Sequence, residues 1–383
     1  MEARRLGAEI EAAGIEVEVR AWRAADGGSC DWVGAWPCEE RGWYLSPRAF
    51  QETACTYLGL YSPAVAPLGP LEIPCAGRGG PRMSDPHGVQ LGLATLPGRD
   101  FTERSEAIET VIHADMALAQ LPGLMRQPRR LFQGVVQPDA RAHGRAALVP
   151  DLSAELRFPD TYDRLRRGAR RPAARWRGDH VQRHLFDVKA FGRGVAHYAT
   201  ALARDLRAGA AESYARGVHG EYVGQAREVD RRAPPAGHGV ARGAVGPVEQ
   251  RLHTFPRVHG LAFGGYGESS GAVHALRRIT ARGIAARRWR LMGARSQTEA
   301  AGILEAALRR RWGIAACRAQ AEHTLRRLVW VGARRGDARP AAHEEIGEAG
   351  RDARAAAGAD AYAAQHAHGD GAWAGPRGGL GGE

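Results

Sequence analysis

The chain has 383 residues, with 54 lysine and arginine residues against 42 aspartate and glutamate residues, a formal charge of +12 and a pI near 10.1. This positive surplus favours polyanionic partners such as nucleic acid or an anionic membrane face. The complete absence of asparagine excludes HNH-type nuclease sites, kinase catalytic loops, papain-like triads and N-glycosylation acceptors.

Residues 1–100 are expected to form an irregular N-terminal region. They are rich in glycine, proline and tryptophan, and their apolar residues are scattered. The pattern predicts a short helix running into a strand over 1–22 and one further short helix near 47–58.

Cysteine usage and hydropathy bear on the compartment. The five cysteines are irregularly spaced and include no Cys-x-x-Cys pair, so they support neither a zinc ribbon nor a disulfide framework. The N-terminus is charged with no apolar segment after it, and no run approaches the ~18 apolar residues of a membrane span. We therefore expect an intracellular protein, cytoplasmic or nuclear, with no membrane partner.

More regular patterns begin near residue 102. Helical spacing predicts a helix over Glu103–Leu121, with Thr102 as its N-cap and Pro122-Gly123 ending it. Alternation then predicts a strand within Ala146–Phe158, and a second short strand follows over His184–Phe191.

The later elements complete a predicted mixed α/β domain over 101–331. The pattern favours helices over 195–230, 248–252, 272–292 and 298–330, and a strand over 257–267. The main elements therefore follow the order helix, strand, strand, helix, strand, helix, helix. Few large apolar residues follow, so we expect 332–383 to be a disordered tail rich in alanine, glycine and arginine.

Three residues in the two neighbouring strands carry the chemistry. Pro150-Asp151 ends one apolar half-strand, and Asp187-Val188-Lys189 lies inside the next strand. Residues two apart in a strand share a face, so Asp187 and Lys189 lie together, and Asp151 joins them if the strands pair as a long hairpin. Two carboxylates suit a hard cation such as Mg²⁺, and an adjacent amine can orient or deprotonate a water or neutralise charge on a phosphate.

Lys189 is the only lysine in the chain, and every other basic residue is arginine. This bias is typical of a GC-rich genome, which also reduces the weight that the net charge carries. Arginine replaces lysine as bulk surface charge, but lysine alone serves as a compact donor able to shed its proton. A lysine retained two residues after an aspartate therefore favours a chemical role over chance survival.

These residues, in this order of elements, resemble the PD-(D/E)xK nuclease superfamily, the restriction-endonuclease-like fold. The resemblance covers about 100–290 and implies a core with a mixed central sheet flanked by helices. It implies that Asp151 and Asp187 bind Mg²⁺ or Mn²⁺ and that Lys189 assists the water that attacks a DNA phosphodiester. The family often adds a glutamate from the preceding helix, and Glu109 fits this role, with Glu106 on the same stripe.

A rival acid and four later segments also bear on the resemblance. Asp160, in Pro159-Asp160, is a rival for the first acid and would shorten the connection to Asp187, although a cleaner alternating run surrounds Asp151. Four later segments are similar to nuclease-like segments of algal and protist retroelement proteins, which suggests a mobile-element origin. They are Gly246-Pro-Val, Val258 to Gly267, Trp289 to Gly293 and Arg311-Trp-Gly313.

An arginine-rich stretch over 164–177 is predicted at the hairpin tip, where it is either a nucleic-acid contact or a solvated loop. Arginine binds phosphates without sequence preference, and an aromatic ring can stack on an exposed base. The candidate contacts are Arg166, Arg167, Arg170, Arg171, Arg175, Trp176 and Arg177.

Other readings of the sequence compete with a nuclease. The main alternative is a non-catalytic nucleic-acid-binding protein, a remnant of such a nuclease. The glycine-rich segment 264–271 follows a strand and precedes a helix, but its spacing favours a tight turn over a nucleotide-binding loop. The four-residue spacing of His180 and His184 does not favour a metal site on a loop-to-strand segment.

Overall fold

The computed structural model describes residues 43–74, 81–96, 100–133, 135, 148–159, 181–194, 209–232 and 244–334, with isolated positions at 12, 32 and 38. These described residues form a mixed α/β structure with seven helices and six strands. The helices are α1 Pro47–Leu58, α2 Val89–Leu93, α3 Asp100–Leu118, α4 Gly209–Arg232, α5 Pro247–His253, α6 Gly271–Arg288 and α7 Gln297–Arg334. The strands are β1 Glu72–Ile73, β2 Arg82–Met83, β3 Met125–Arg126, β4 Leu152–Leu156, β5 Gln182–Ala190 and β6 Val258–Phe263.

The central sheet is mixed and has the strand order β3-β4-β5-β6. β3 and β4 are antiparallel, as are β4 and β5, with Leu152 opposite Phe186. β5 and β6 are parallel, and this register places Asp187 opposite Gly260. The two site-bearing strands therefore pair, which is the condition under which Asp151 can join Asp187 and Lys189, and the sheet is mixed as expected.

Helices cover both faces of this sheet. On one face, α3, α6 and α7 pack against the strands in a buried apolar cluster that includes Ile108, Phe186 and Trp312. On the other face, α4 and α5 pack in a second cluster that includes Leu185 and Val218. Burial of apolar side chains in two separate layers holds β5 between them, which fixes the strand that carries the candidate site.

Gly260 permits the close approach of α4 to β6. A Cβ atom on Gly260 would lie 2.7 Å from the Cα atom of Ala215 and 2.8 Å from the backbone oxygen of Ala215. Only a residue without a side chain allows the helix backbone so near the strand. This contact sets the height of α4 above the sheet at the position beside Asp187.

Most predicted elements are present at the expected places. The short helix near 47–58 is α1, and the helices predicted over 248–252, 272–292 and 298–330 are α5, α6 and α7. The strand predicted over 257–267 is β6, and α4 is the described part of the helix predicted over 195–230. α7 continues to Arg334, and the rest of the predicted tail lies outside the described residues.

Two local predictions were wrong, and one strand was not predicted. α3 begins at Asp100, so Thr102 lies inside the helix rather than at its N-cap. β4 begins only at Leu152, so Asp151 precedes this strand instead of ending a half-strand. The two-residue strand β3 was not predicted, because so short a segment has no readable periodicity.

Among the described residues, no helix combines the length and the apolar character that a membrane span requires.

Candidate active site

The site lies beside the first residue of β4, where the edge of β5 that faces β4 continues without a strand partner. β4 pairs with β5 only as far as Leu152 and Phe186, so the next backbone groups of β5 lack a strand partner on that side. Side chains replace the strand there: Asp151 Oδ2 accepts the N–H of Val188 at 2.7 Å, and Ser105 Oγ accepts that of Ala190 at 3.4 Å. Arg104 donates to the carbonyl of Ala190. Asp151 is thus fixed beside Asp187 because it satisfies a backbone donor that would otherwise be unpaired.

Asp187 is buried on β5 and its two oxygens have different partners. The hydroxyl of Tyr222, on α4, donates to Oδ1 at 2.9 Å, and Lys189 Nζ lies 2.9 Å from Oδ2. The side chain of Asp187 is 3% exposed and that of Lys189 is 33% exposed. The predicted sharing of a face by Asp187 and Lys189 is confirmed, and the amine is the member of the pair that solvent can reach.

Glu109 contributes the third carboxylate, from α3. It is 1% exposed, and its Oε1 accepts from Arg126 Nε on β3 at 2.7 Å. Arg126 also donates to Thr110 Oγ1 at 3.0 Å, so the same guanidinium holds two consecutive residues of α3. The helix therefore presents Glu109 in a fixed position near the negative charges of Asp151 and Asp187.

Burial and the neighbouring acids raise the pKa of Asp151 to about 8. The carboxylates of Asp187 and Glu109 add to the effect of burial, while the hydrogen bond from Val188 and the charge of Lys189 act against it. Burial also raises the pKa of Glu109, although Arg126 opposes this shift. The acids thus repel one another in a poorly solvated space.

The pKa of Lys189 moves the other way from what burial alone would produce. Burial lowers it, but the Asp187 carboxylate, aided by Asp151, more than compensates and the net shift is upward. Lys189 is therefore a cation at neutral pH. This state suits charge neutralisation and hydrogen-bond donation rather than proton abstraction.

The donor chemistry of the three acids fits a hard divalent cation. Carboxylate oxygens are the ligands that Mg²⁺ and Mn²⁺ prefer, and a cation would offset the repulsion that raises the pKa of Asp151. Within the described part of the chain, however, no group of three or more histidine, cysteine, aspartate or glutamate side chains meets the geometry of a metal site. Asp151 and Asp187 are therefore the candidate ligand pair, while Glu109 is ion-paired with Arg126.

The remaining predicted site residues lie elsewhere. The rival acid, Asp160, and the arginine-rich stretch with Trp176 lie outside the described residues. Glu106 lies one turn from Glu109 on α3 and is half-buried. Of the predicted residues that the structure describes, Asp151, Asp187, Lys189 and Glu109 are brought together.

Sequence reasoning missed Tyr222 and Arg126. Tyr222 is 4% exposed and lies in the buried stripe of α4, where a phenolic hydroxyl requires a partner. That stripe signals a buried hydrogen bond but does not name Asp187 as the acceptor. Arg126 has no distinguishing signal, because it is one of many arginines and lies on the strand that was not predicted.

The glycine-rich segment forms the expected tight turn. Gly267 has φ +88°, and Phe263 bridges to Ser269. The carboxylate of Glu268 folds back to accept the N–H of Tyr266 at 3.0 Å. A carboxylate at this position opposes the binding of a phosphate, which agrees with a structural turn.

His184 is likewise occupied within the core. Its Nδ1 lies 3.0 Å from Nε2 of His259, and both rings pack among Phe158 and Phe186. Burial lowers the pKa of His184 to about 4, so the imidazole is neutral. His180, its proposed partner by spacing, lies outside the described residues.

Comparisons with protein-family models, curated proteins and solved structures gave no match to this chain.

Proposed function

We propose that this protein is a Mg²⁺- or Mn²⁺-dependent nuclease that hydrolyses phosphodiester bonds in DNA. One observation carries the proposal: the only lysine of the chain lies 2.9 Å from Asp187, on the strand to which Asp151 is hydrogen-bonded. Two acids and one amine on adjacent backbone segments form the constellation on which the resemblance to PD-(D/E)xK nucleases depends.

The order of elements around the site supports a restriction-endonuclease-like core. α3, β4, β5, α4 and β6 follow one another in the helix, strand, strand, helix, strand order on which the resemblance was based. The short strand β3 precedes β4 at the edge of the same sheet. Helices lie on both faces of this sheet, as that architecture requires.

Each side chain has a role that follows from its contacts. Asp151 and Asp187 would hold the cation, with Glu109 as a further carboxylate nearby. Such a cation, when bound, polarises a phosphate oxygen and lowers the pKa of a bound water. Lys189 is cationic and partly exposed, so it can donate to a phosphate oxygen or orient a water and neutralise developing charge.

Tyr222 and Val188 hold the two acids in place. The Tyr222 hydroxyl fixes one oxygen of Asp187, and the Val188 amide fixes one oxygen of Asp151. Both donors belong to packed elements, so the carboxylates do not need to reorganise when a substrate binds.

A second candidate function is nucleic-acid binding without catalysis, by a decayed nuclease domain of a mobile element. The described residues contain no cluster of three potential ligands with metal-site geometry, and the Asp187 carboxylate is engaged by both Lys189 and Tyr222. This alternative predicts salt-dependent DNA binding with no metal-dependent cleavage.

Nicking of supercoiled plasmid DNA tests the proposal. The wild-type protein is expected to nick DNA in Mg²⁺ or Mn²⁺ and to be inactive in EDTA. Lys189→Ala is expected to reduce the rate about 100-fold or more, because it removes a preorganised positive charge from the site. Arg282→Ala, which removes an exposed charge from α6, is the matched control and is expected to act as wild type.

Equal cleavage by the wild-type protein and Lys189→Ala would refute the catalytic assignment. The absence of cleavage in both, with DNA binding retained, would establish the non-catalytic alternative instead.

A further inference from the structure

An open groove lies at the opposite end of β5 from Lys189. Gln182 and Arg183 at the start of β5, His219 on α4, and Arg251 and His253 on α5 line it, together with Phe255. We call this surface the basic groove. It is separate from the candidate active site, which lies near the end of the same strand.

The described residues of the groove carry one arginine without an acidic partner, Arg251, and several further hydrogen-bond donors. None of the described residues that line it is acidic. Of the nearby acids, Glu155 forms an ion pair with Arg183, and Glu249 is 1% exposed and bound by Arg227 at 2.8 Å. Arg251 is exposed, so its charge faces solvent.

The geometry of Arg251 suits a phosphate contact. Its Nε donates to the carbonyl of Leu131 at 2.8 Å, and its guanidinium lies 6.0 Å from the centre of the Phe255 ring. These two contacts anchor the side chain while its terminal nitrogens remain available as donors. Anchored guanidinium groups are well suited to bind phosphate oxygens.

His219 adds a neutral donor to the same groove. Its Nδ1 accepts the N–H of Val258 at 3.4 Å, which places the ring proton of the neutral form on Nε2. The ring of Phe255 lies beside these donors and helps to hold the Arg251 guanidinium in place. The groove thus offers an anchored cation and a neutral donor to a phosphate backbone.

The spacing along β5 relates the groove to the candidate active site. Lys189 lies seven positions after Gln182, which corresponds to roughly 23 Å at the rise of a β-strand. A strand of B-form DNA advances about 3.4 Å per phosphate, so roughly seven phosphates span this distance. One continuous DNA segment is long enough to reach both places.

We propose that the basic groove is a second binding site for the phosphate backbone of DNA, separated from the hydrolytic site by the length of β5. The inference rests on the proposed function for its choice of DNA as the polymer. The phosphate chemistry of the groove also fits free inorganic phosphate, and the experiment separates these two sources.

Fluorescence anisotropy with a labelled 20-base-pair duplex, in EDTA and over a range of salt concentrations, tests the proposal. Arg251→Ala is expected to weaken binding and to reduce the slope of log K against log salt by about 0.9, the value for one lost phosphate contact. Arg282→Ala, which removes an exposed arginine on another face, is expected to leave the Kd and the slope unchanged. Arg251→Lys retains the charge and is expected to keep the wild-type slope.

Three outcomes would overturn the assignment. The first is a Kd and a slope in Arg251→Ala that equal those of the wild type. The second is a slope that falls by the same amount in Arg251→Lys as in Arg251→Ala, with Arg251→Ala shown to be folded. The third is displacement of the duplex from the wild-type protein by millimolar inorganic phosphate at constant ionic strength, which would mean that the groove holds a free anion. Because EDTA prevents metal-dependent cleavage, a failure of the nicking experiment leaves this readout intact.

Discussion

The carboxylate of Asp151 accepts the backbone N–H of Val188 at 2.7 Å, at the point where β4 no longer pairs with β5. An aspartate thus substitutes for a strand and is held beside Asp187 by a hydrogen bond to the residue that follows Asp187. The same arrangement brings like charges together in a buried space, so the site is held at a cost to stability.

Asp151→Asn is expected to stabilise the protein at alkaline pH. The pKa of Asp151 is about 8 in the folded chain against an ordinary 3.8, so between these values the folded state holds a proton that the unfolded state has released. Stability therefore falls as pH rises through this window. Asparagine retains an acceptor for Val188 without the charge, and a gain of at least about 1.4 kcal/mol is expected at pH 8.

Urea unfolding in EDTA at pH 5 and pH 8 measures this effect. The gain is expected to shrink as the pH falls toward 3.8, because the folded wild-type carboxyl stays protonated while the unfolded carboxyl takes up its proton. Asp85→Asn is the matched control, because Asp85 also accepts backbone N–H groups, from Val89 and Gln90, and no gain is expected there at pH 8. Parallel pH profiles for the wild type and Asp151→Asn would contradict the electrostatic account.

Lys189 can be observed directly because the chain has no other lysine. Reductive methylation with ¹³C-formaldehyde labels only this amine and the α-amino group, and a pH titration by NMR gives its pKa. The pKa is expected above the ordinary 10.5 in the wild type and lower in Asp187→Asn, since the ion pair is then lost. Glu228→Gln, which alters the ion pair of Glu228 with Arg231 on α4, should leave the pKa of Lys189 unchanged. A wild-type pKa below 10.5 would show that burial outweighs the ion pair of Lys189 with Asp187.

Tyr222→Phe is expected to cost about 1–3 kcal/mol of stability, because it removes a donor from the buried carboxylate of Asp187. If Tyr222 positions Asp187 for a cation, the variant also binds Mn²⁺ about tenfold more weakly, measured by electron paramagnetic resonance of free Mn²⁺. Tyr61→Phe removes an exposed hydroxyl and serves as the control. Loss of stability with unaltered Mn²⁺ affinity would limit Tyr222 to a structural role.

Gly260→Ala is expected to destabilise the protein by about 1–3 kcal/mol, because the new Cβ atom meets the backbone of Ala215 as well as the side chain of Val218, and the backbone cannot rotate away. Gly302→Ala on α7 is the contrasting substitution, since nothing lies within 4 Å of its Cβ position and alanine favours a helix. It is expected to stabilise by about 0.5–1 kcal/mol. Thermal unfolding of both variants checks the pair, and equal Tm values would show that α4 moves freely away from β6.

The sequence predicted those elements and site residues that lie in segments with a clear periodic pattern of apolar side chains. Alternation identified the strand that carries Asp187 and Lys189 and placed both residues on one face. Helical spacing also found α3, the helix on which the resemblance to the nuclease superfamily implies Glu109 as a further acid. These patterns are local, and they hold because each element buries one face against the same sheet.

The predictions that failed concern non-local partners. The position of Asp151 depends on where β4 stops pairing with β5, beyond which Asp151, Ser105 and Arg104 bond the exposed edge of β5 instead. The contact of Tyr222 with Asp187 depends on the height of α4 over β6, which Gly260 determines. Neither relationship leaves a periodic trace in the sequence.

The parallel pairing of β5 with β6 has a consequence for how the protein acquires its site. Leu185 pairs with Val258, roughly 70 residues later, and such long-range closures slow folding because chain entropy is lost before the contacts are gained. Tyr222 lies on the helix between these two strands, so Asp187 would gain this partner only when the crossover closes. A ribosome-bound chain released as far as β5 would thus carry Asp187 and Lys189 without α4 above them, and assembly of the complete site would wait for β6 to emerge.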